Sequence, residues 1–159
     1  MARRSASTAS RSSRRRGPSA VRAPALAAAL LLAPAAHASP AQDYVLYCMG
    51  CHGADARGLP GHIPPLAGML PLFMRSPGGR DYVLRVPGAA NTALPDEQLT
   101  AVLNWLAESY PAEAGPAPAP FTVTEVAAAR RRPLADVKET RRQVVEALAA
   151  GGAAPAASY

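Results

Sequence analysis

Several residue types and patterns are scarce in this 159-residue chain. Cysteine occurs only at Cys48 and Cys51, and a disulfide between positions so close would close a very short loop and stabilise little. Lysine occurs once, at Lys138, so the first 110 residues cannot present the ring of lysines that steers some proteins to acidic partners. No segment alternates with the period of two that marks a strand, which excludes a sheet-based fold. No apolar run reaches the about 20 residues of a comfortable membrane span. No catalytic triad, paired-carboxylate motif or nucleotide-binding loop is visible, so no enzyme class is signalled.

Acids are missing altogether from residues 1–38, which hold Arg3, Arg4, Arg11, Arg14, Arg15, Arg16 and Arg22. An apolar run from Ala23 to Ala36 follows, and Ala36-His37-Ala38 offers small residues ahead of a cut, so residues 1–38 read as a secretory signal peptide. The formal charge of +6 then misleads. Seven of the seventeen basic residues lie in this segment with none of the eleven acids, leaving ten basic and eleven acidic side chains beyond it. The basicity is an address for export to the periplasm rather than a nucleic-acid surface, and membrane association follows only if the signal stays uncleaved.

The two cysteines stand in Cys48-Met49-Gly50-Cys51-His52. Within one helical turn Cys48 and Cys51 share a face, and His52 continues it. Two thiols so placed can add to the two vinyl groups of one haem while the imidazole meets the iron, so the spacing reads as c-type haem attachment with His52 as proximal ligand. A structural zinc site would need four ligands, for which Cys48, Cys51, His52 and His62 are the candidates. A redox-active dithiol would need a preceding strand and a βαβ context, which is absent.

The rest of the chain reads as helices around this turn. Ser39-Pro40-Ala41-Gln42 is a capping-box start for a first helix. Residues 55–61 are polar and Gly-rich, hence loop. In Ile63-Pro64-Pro65-Leu66-Ala67-Gly68 a carbonyl near Pro65 can accept a hydrogen bond from the second ring nitrogen of His52 and fix the imidazole. Pro77-Gly78-Gly79 reads as a break, with a short helix over residues 80–86. Pro95-Asp96-Glu97 opens a longer helix whose Leu99, Val102, Leu103 and Leu106 form one core-facing stripe, with Trp105 beside it.

Together these motifs resemble a class I c-type cytochrome over residues 39–110. The resemblance implies an all-α fold in which the first and last helices cross beside a single covalently bound haem c. It also implies a carrier of single electrons rather than a catalyst, with His/Met iron coordination. The distal methionine of that family lies just ahead of the last helix, yet Val86–Leu94 holds no Met, His or Lys. Met74 is then the favoured sixth ligand, because an extended chain from Gly68 gives it roughly 20 Å of reach; Met69, His62 and an open site are the alternatives. Arg80, with Arg85, is the expected partner of the haem propionates.

Residues 111–120 form a Pro/Ala linker. Residues 121–151 follow as an appended helical hairpin with a basic side at Arg130–Arg132 and Arg141–Arg142, and residues 152–159 as a disordered tail. The expected partner is a periplasmic dehydrogenase or oxidase, met through an apolar haem edge. An open-site haem protein, sensing a gas or acting as a peroxidase, is the rival from another class, and a haem-stabilised interaction subunit is a third. Replacing Cys48 and Cys51 together by Ala should abolish covalent haem, which haem staining after denaturing electrophoresis checks. A wild-type chain left unstained after expression with a working attachment pathway would end the haem reading.

Overall fold

The computed structural model describes residues 38–153. The expected signal peptide, apart from Ala38, and the chain from residue 154 lie outside the described residues. Among the described residues there are eight helices and no strand, so the all-α, cytochrome c-like expectation holds. The only sheet-like pairing among them is an isolated bridge between Leu59 and Ile63.

Helix α1 (Pro40–Tyr47) begins with the expected capping box. Ser39 Oγ accepts from the Gln42 amide at 3.3 Å, and the Ser39 amide donates to Gln42 Oε1 at 2.8 Å. A single helical turn, α2 (Met49–His52), follows. Next come α3 (Met69–Met74) and α4 (Pro77–Arg85). Ser76 caps α4, its Oγ accepting from the Gly79 amide at 3.0 Å, so Pro77-Gly78-Gly79 starts the helix instead of breaking the chain. Proline at the first helical position has no amide to leave unpaired. Gly79 is needed there because any Cβ would sit 2.1 Å from the Phe73 carbonyl oxygen. Four residues of the expected loop form α5 (Pro87–Ala90), and α6 (Asp96–Ser109) closes the part of the fold that the resemblance covers.

Helix α1 crosses α6. Tyr44 is buried between them, its ring 5.8 Å from that of Trp105, and the Leu99, Val102, Leu103 and Leu106 stripe points inward as its spacing predicts. α3 packs on α4 and α6.

Residues 111–120 contain no helix. The chain then returns to the core: Phe121 is 3% exposed, and its backbone is held at both groups by Asn104. The Phe121 amide donates to Asn104 Oδ1 at 2.8 Å, and Asn104 Nδ2 donates to the Phe121 carbonyl at 3.0 Å. Burying an aromatic ring of this size contributes about 1.5–3 kcal/mol. Helix α7 (Val123–Arg130) packs on α4, α5 and α6, and α8 (Val137–Ala150) packs on α4. Val126 and Ala129 belong to the same apolar core as Tyr44 and Leu106, while Val144, Val145 and Leu148 form a second cluster with Phe73 and Tyr82.

Arg80 joins the two stretches of chain. Its guanidinium donates to both carboxylate oxygens of Glu125, at 2.8 and 2.6 Å, and lies 4.4 Å from the centre of the Phe121 ring. The hydrogen bonds from Arg80 outweigh partial burial and hold the Glu125 carboxyl below its usual range. A depressed carboxylate contributes stability that is present above its unfolded value and lost as pH falls through the folded one. Glu125→Gln should therefore cost on the order of 1–2 kcal/mol at neutral pH. The gap to wild type should close as pH drops below about 4.5, measured by denaturant unfolding at a series of pH values.

Candidate haem site

The attachment turn is built by backbone geometry. Cys48 ends α1, its amide bonded to the Tyr44 carbonyl at 2.9 Å, and its own carbonyl accepts from the amides of Cys51 at 3.2 Å and His52 at 3.0 Å. This tight turn brings Cys48, Cys51 and His52 to the lining of one cavity. The two cysteines form no disulfide. Burial pushes the Cys48 thiol up, helped by the charges of Asp43 and Cys51. Tyr44 buttresses the turn from inside, its hydroxyl donating to the Gly53 carbonyl at 2.5 Å, and burial is the main reason its phenol is pushed up to about 12.

The loop after the turn fixes the imidazole. His52 Nδ1 donates to the Pro64 carbonyl at 3.0 Å, which leaves Nε2 as the nitrogen available to a metal. Burial lowers the His52 pKa, against the opposing effect of that bond, so the ring is neutral at neutral pH, the form that ligates. Gly58 makes the geometry possible. It has φ +69°, and a Cβ there would lie 2.3 Å from the Ile63 carbonyl oxygen and 2.7 Å from that of Pro64. The Gly58 amide also donates to the His52 carbonyl at 2.8 Å, and the Ala56 carbonyl accepts from Leu66 and Ala67 at 2.8 and 3.0 Å.

The cavity beside these groups measures about 400 Å³, within the range of small-molecule and cofactor pockets. It is lined by the Leu99, Val102, Leu103 and Leu106 stripe of α6, by Pro65, Leu66, Met69 and Leu70, and by Val86, Ala89, Thr92 and Leu94. Phe73 and Tyr82 line it too, as do Val137 and Arg141 of the C-terminal helix. A mostly apolar cavity lined by two cysteines and one oriented imidazole fits an apolar macrocycle held by thioether bonds. Among the described residues, no three His, Cys, Asp or Glu side chains gather as a metal-binding group.

Two expectations require correction, those for Met74 and Arg80. Met74 does not reach the cavity: it is 2% exposed, packed in the main core, and borders a separate recess with Pro71, Arg75 and Asn104. The extended reach assumed for it fails because residues 69–74 are helical, which shortens the advance to about 1.5 Å per residue and turns Met74 roughly 140° away from Met69. Met69 is the methionine that lines the cavity, and the exposed His62 borders it as well. Arg80 does not line it either. Besides Glu125, Arg80 donates to the carbonyls of Met74, Ala119 and Pro120, and Arg85 is likewise committed to Asp81 and the carbonyls of Arg132 and Pro133. The carbonyl expected near Pro65 is that of Pro64, and Pro65 itself lines the cavity.

Sequence reasoning also missed the role of Arg130. Its guanidinium donates to the carbonyls of Ala90 at 3.2 Å, Thr92 at 2.7 Å and Leu94 at 2.9 Å, and to Asp96 Oδ1 at 2.7 Å. It therefore pins the Val86–Leu94 wall onto α6. The run Arg130-Arg131-Arg132 reads as a solvated basic stripe, and nothing local marks its first member as a clamp reaching 34 to 40 residues back.

The fold and the site define a small helical protein built to hold a covalently attached haem beside a single oriented imidazole. The comparisons agree. The chain is 32% identical over 106 residues to cytochrome c-552 of Thermus thermophilus, across 55% of this chain and 81% of that protein. It is 33% identical over 106 residues to a cytochrome c-552 from a named strain of the same organism, across 55% and 72%. No protein-family model matches the chain. The chain belongs to the c-type cytochrome family.

Arg130→Met should free the Val86–Leu94 wall and leave Asp96 without its cation. The expected cost is about 2–3 kcal/mol in denaturant unfolding, typical of losing charged hydrogen bonds at a partly buried site. Amide exchange at residues 91–94 should rise more than at α6, and equal acceleration at both would show that Arg130 stabilises the fold without acting on this wall.

Proposed function

We propose that this chain is an exported class I c-type cytochrome that carries one haem and passes single electrons between redox proteins. The observation that carries the reading is the convergence of Cys48, Cys51 and a His52 already tied to Pro64 on one apolar cavity. Bound haem would supply an iron that cycles between two oxidation states. The chain supplies everything that tunes it. The thiols of Cys48 and Cys51 would hold the group covalently and His52 Nε2 would be the donor to its iron, with the Pro64 carbonyl fixing the ring and raising its basicity. The apolar walls exclude water, which sets the local dielectric and hence the potential.

Export is supported by the basic, acid-free segment before an apolar run in residues 1–38. Among the described residues no helix is long and apolar enough to cross a membrane. A partner of the dehydrogenase or oxidase kind would meet an apolar rather than a cationic surface. Val45, Leu46, Tyr47 and Leu59 are exposed close in sequence to the attachment turn, whereas Arg130, Arg132 and Arg142 are taken up in ion pairs.

Met69 is the sixth-ligand candidate, being, among the described residues, the methionine on the cavity wall. One observation favours a second reading, an open iron site: the wall formed by Val86, Ala89, Thr92 and Leu94 offers no ligating side chain. Absorption spectra of the reduced protein with and without carbon monoxide separate the two. The electron-carrier reading expects a low-spin wild type indifferent to carbon monoxide and a Met69→Ala variant that binds it and has a lower potential. Rapid binding by the wild type, unchanged in Met69→Ala, would establish the open site.

A further inference from the structure

Part of the cavity lining comes from a stretch of chain that the family resemblance does not cover. Val137, the first residue of helix α8, borders the cavity. Phe73, Tyr82, Val83 and Val86 border it as well, and the same four residues pack with Val144, Val145 and Leu148 of that helix in the second apolar cluster. Val137, Val144, Val145 and Leu148 recur at helical spacing and share one face. On the outer face Arg142 bonds to Glu139 and Glu146, and Gln143 bonds to Glu139, all within the helix. Helix α8 is therefore seated on the body by its apolar face. The chain just ahead of it is tied down, since Arg85 donates to the carbonyls of Arg132 and Pro133.

We propose that helix α8 is a wall of the haem pocket and keeps water and small ligands from the iron. The proposal rests on the haem reading above. The apolar shell around a metal site sets how far solvent reaches it, and here that shell is shared between two parts of the chain. Phe73 and Tyr82 are only 4% and 8% exposed, and with α8 lifted away both would meet water on the side they now turn to Val144, Val145 and Leu148. A helix near the end of a chain, seated through one apolar face, opens at lower free energy than the core beneath it. The frequency of that opening sets how often a small ligand enters from this side.

The test uses the full-length holoprotein. In the reduced wild type, made diamagnetic with carbon monoxide if the iron is open, proton NMR should show Overhauser contacts between the Val137 methyl groups and haem protons. A second measurement is the rate at which cyanide binds the oxidised iron, taken in a Met69→Ala background so that methionine release does not limit it. Leu148→Ala removes apolar contact between α8 and the body without altering the cavity lining, so cyanide should bind at least about tenfold faster. Val126→Ala, a comparable loss in the main core, should leave the rate near that of the background. A haem-bearing wild type with no contact at Val137 would overturn the proposal. So would a rate unchanged by Leu148→Ala, or raised equally by Val126→Ala. If these variants yield no holoprotein, the contacts in the wild type decide. A wild type without covalent haem would instead defeat the haem reading itself, a distinct failure that haem staining makes visible.

Discussion

The Arg80 guanidinium is the junction on which the arrangement of this chain depends. An arginine inside a fold brings five donors and a charge that must all be met. Here they are met by one carboxylate and three main-chain carbonyls, with an aromatic ring below. Two of those carbonyls, at Ala119 and Pro120, belong to a Pro-rich segment that has no helical hydrogen bonds of its own. Arg80 therefore gives that segment its partners, brings Phe121 into the core, and sets the start of α7. Once α7 is in place, Arg130 falls within reach of the Val86–Leu94 wall. The C-terminal third is held by charged groups aimed at backbone carbonyls and by the burial of Phe121, Val126, Ala129, Val144, Val145 and Leu148.

The same logic of main-chain carbonyls governs the haem side. His52 is oriented by one carbonyl, and that carbonyl is where it is because Gly58 lets two stretches of loop approach more closely than any Cβ would allow. The loop is tied by main-chain hydrogen bonds from Gly58 to His52 and from Leu66 and Ala67 to Ala56. Its polar composition does not reveal them, since Gly58 and Ala56 are needed for conformation and carbonyl placement and not for chemistry.

The attachment turn, the capped first helix and the α6 stripe were legible because each is a local pattern whose meaning survives any tertiary context. Cys48, Cys51 and His52 are within five residues, Ser39 and Gln42 within four, and Leu99 to Leu106 repeat with the helical period. Met74, Arg80 and Arg141 were not legible. Placing Met74 required knowing that residues 69–74 are helical, and the Pro71 within them obscured that. Setting Arg80 aside required knowing that its guanidinium already holds the Glu125 carboxylate, a property of residues 45 positions apart.

The sequence by itself determined the c-type attachment motif, the helical character of the fold and the inward face of α6. These follow from spacing along the chain, and spacing within one turn of helix leaves little freedom. Only the tertiary structure decided which carbonyl orients His52, which methionine borders the cavity, and which arginine lines it. Those outcomes turn on long side chains with several rotatable bonds, whose partners are chosen by distance in space once the backbone has been folded around them.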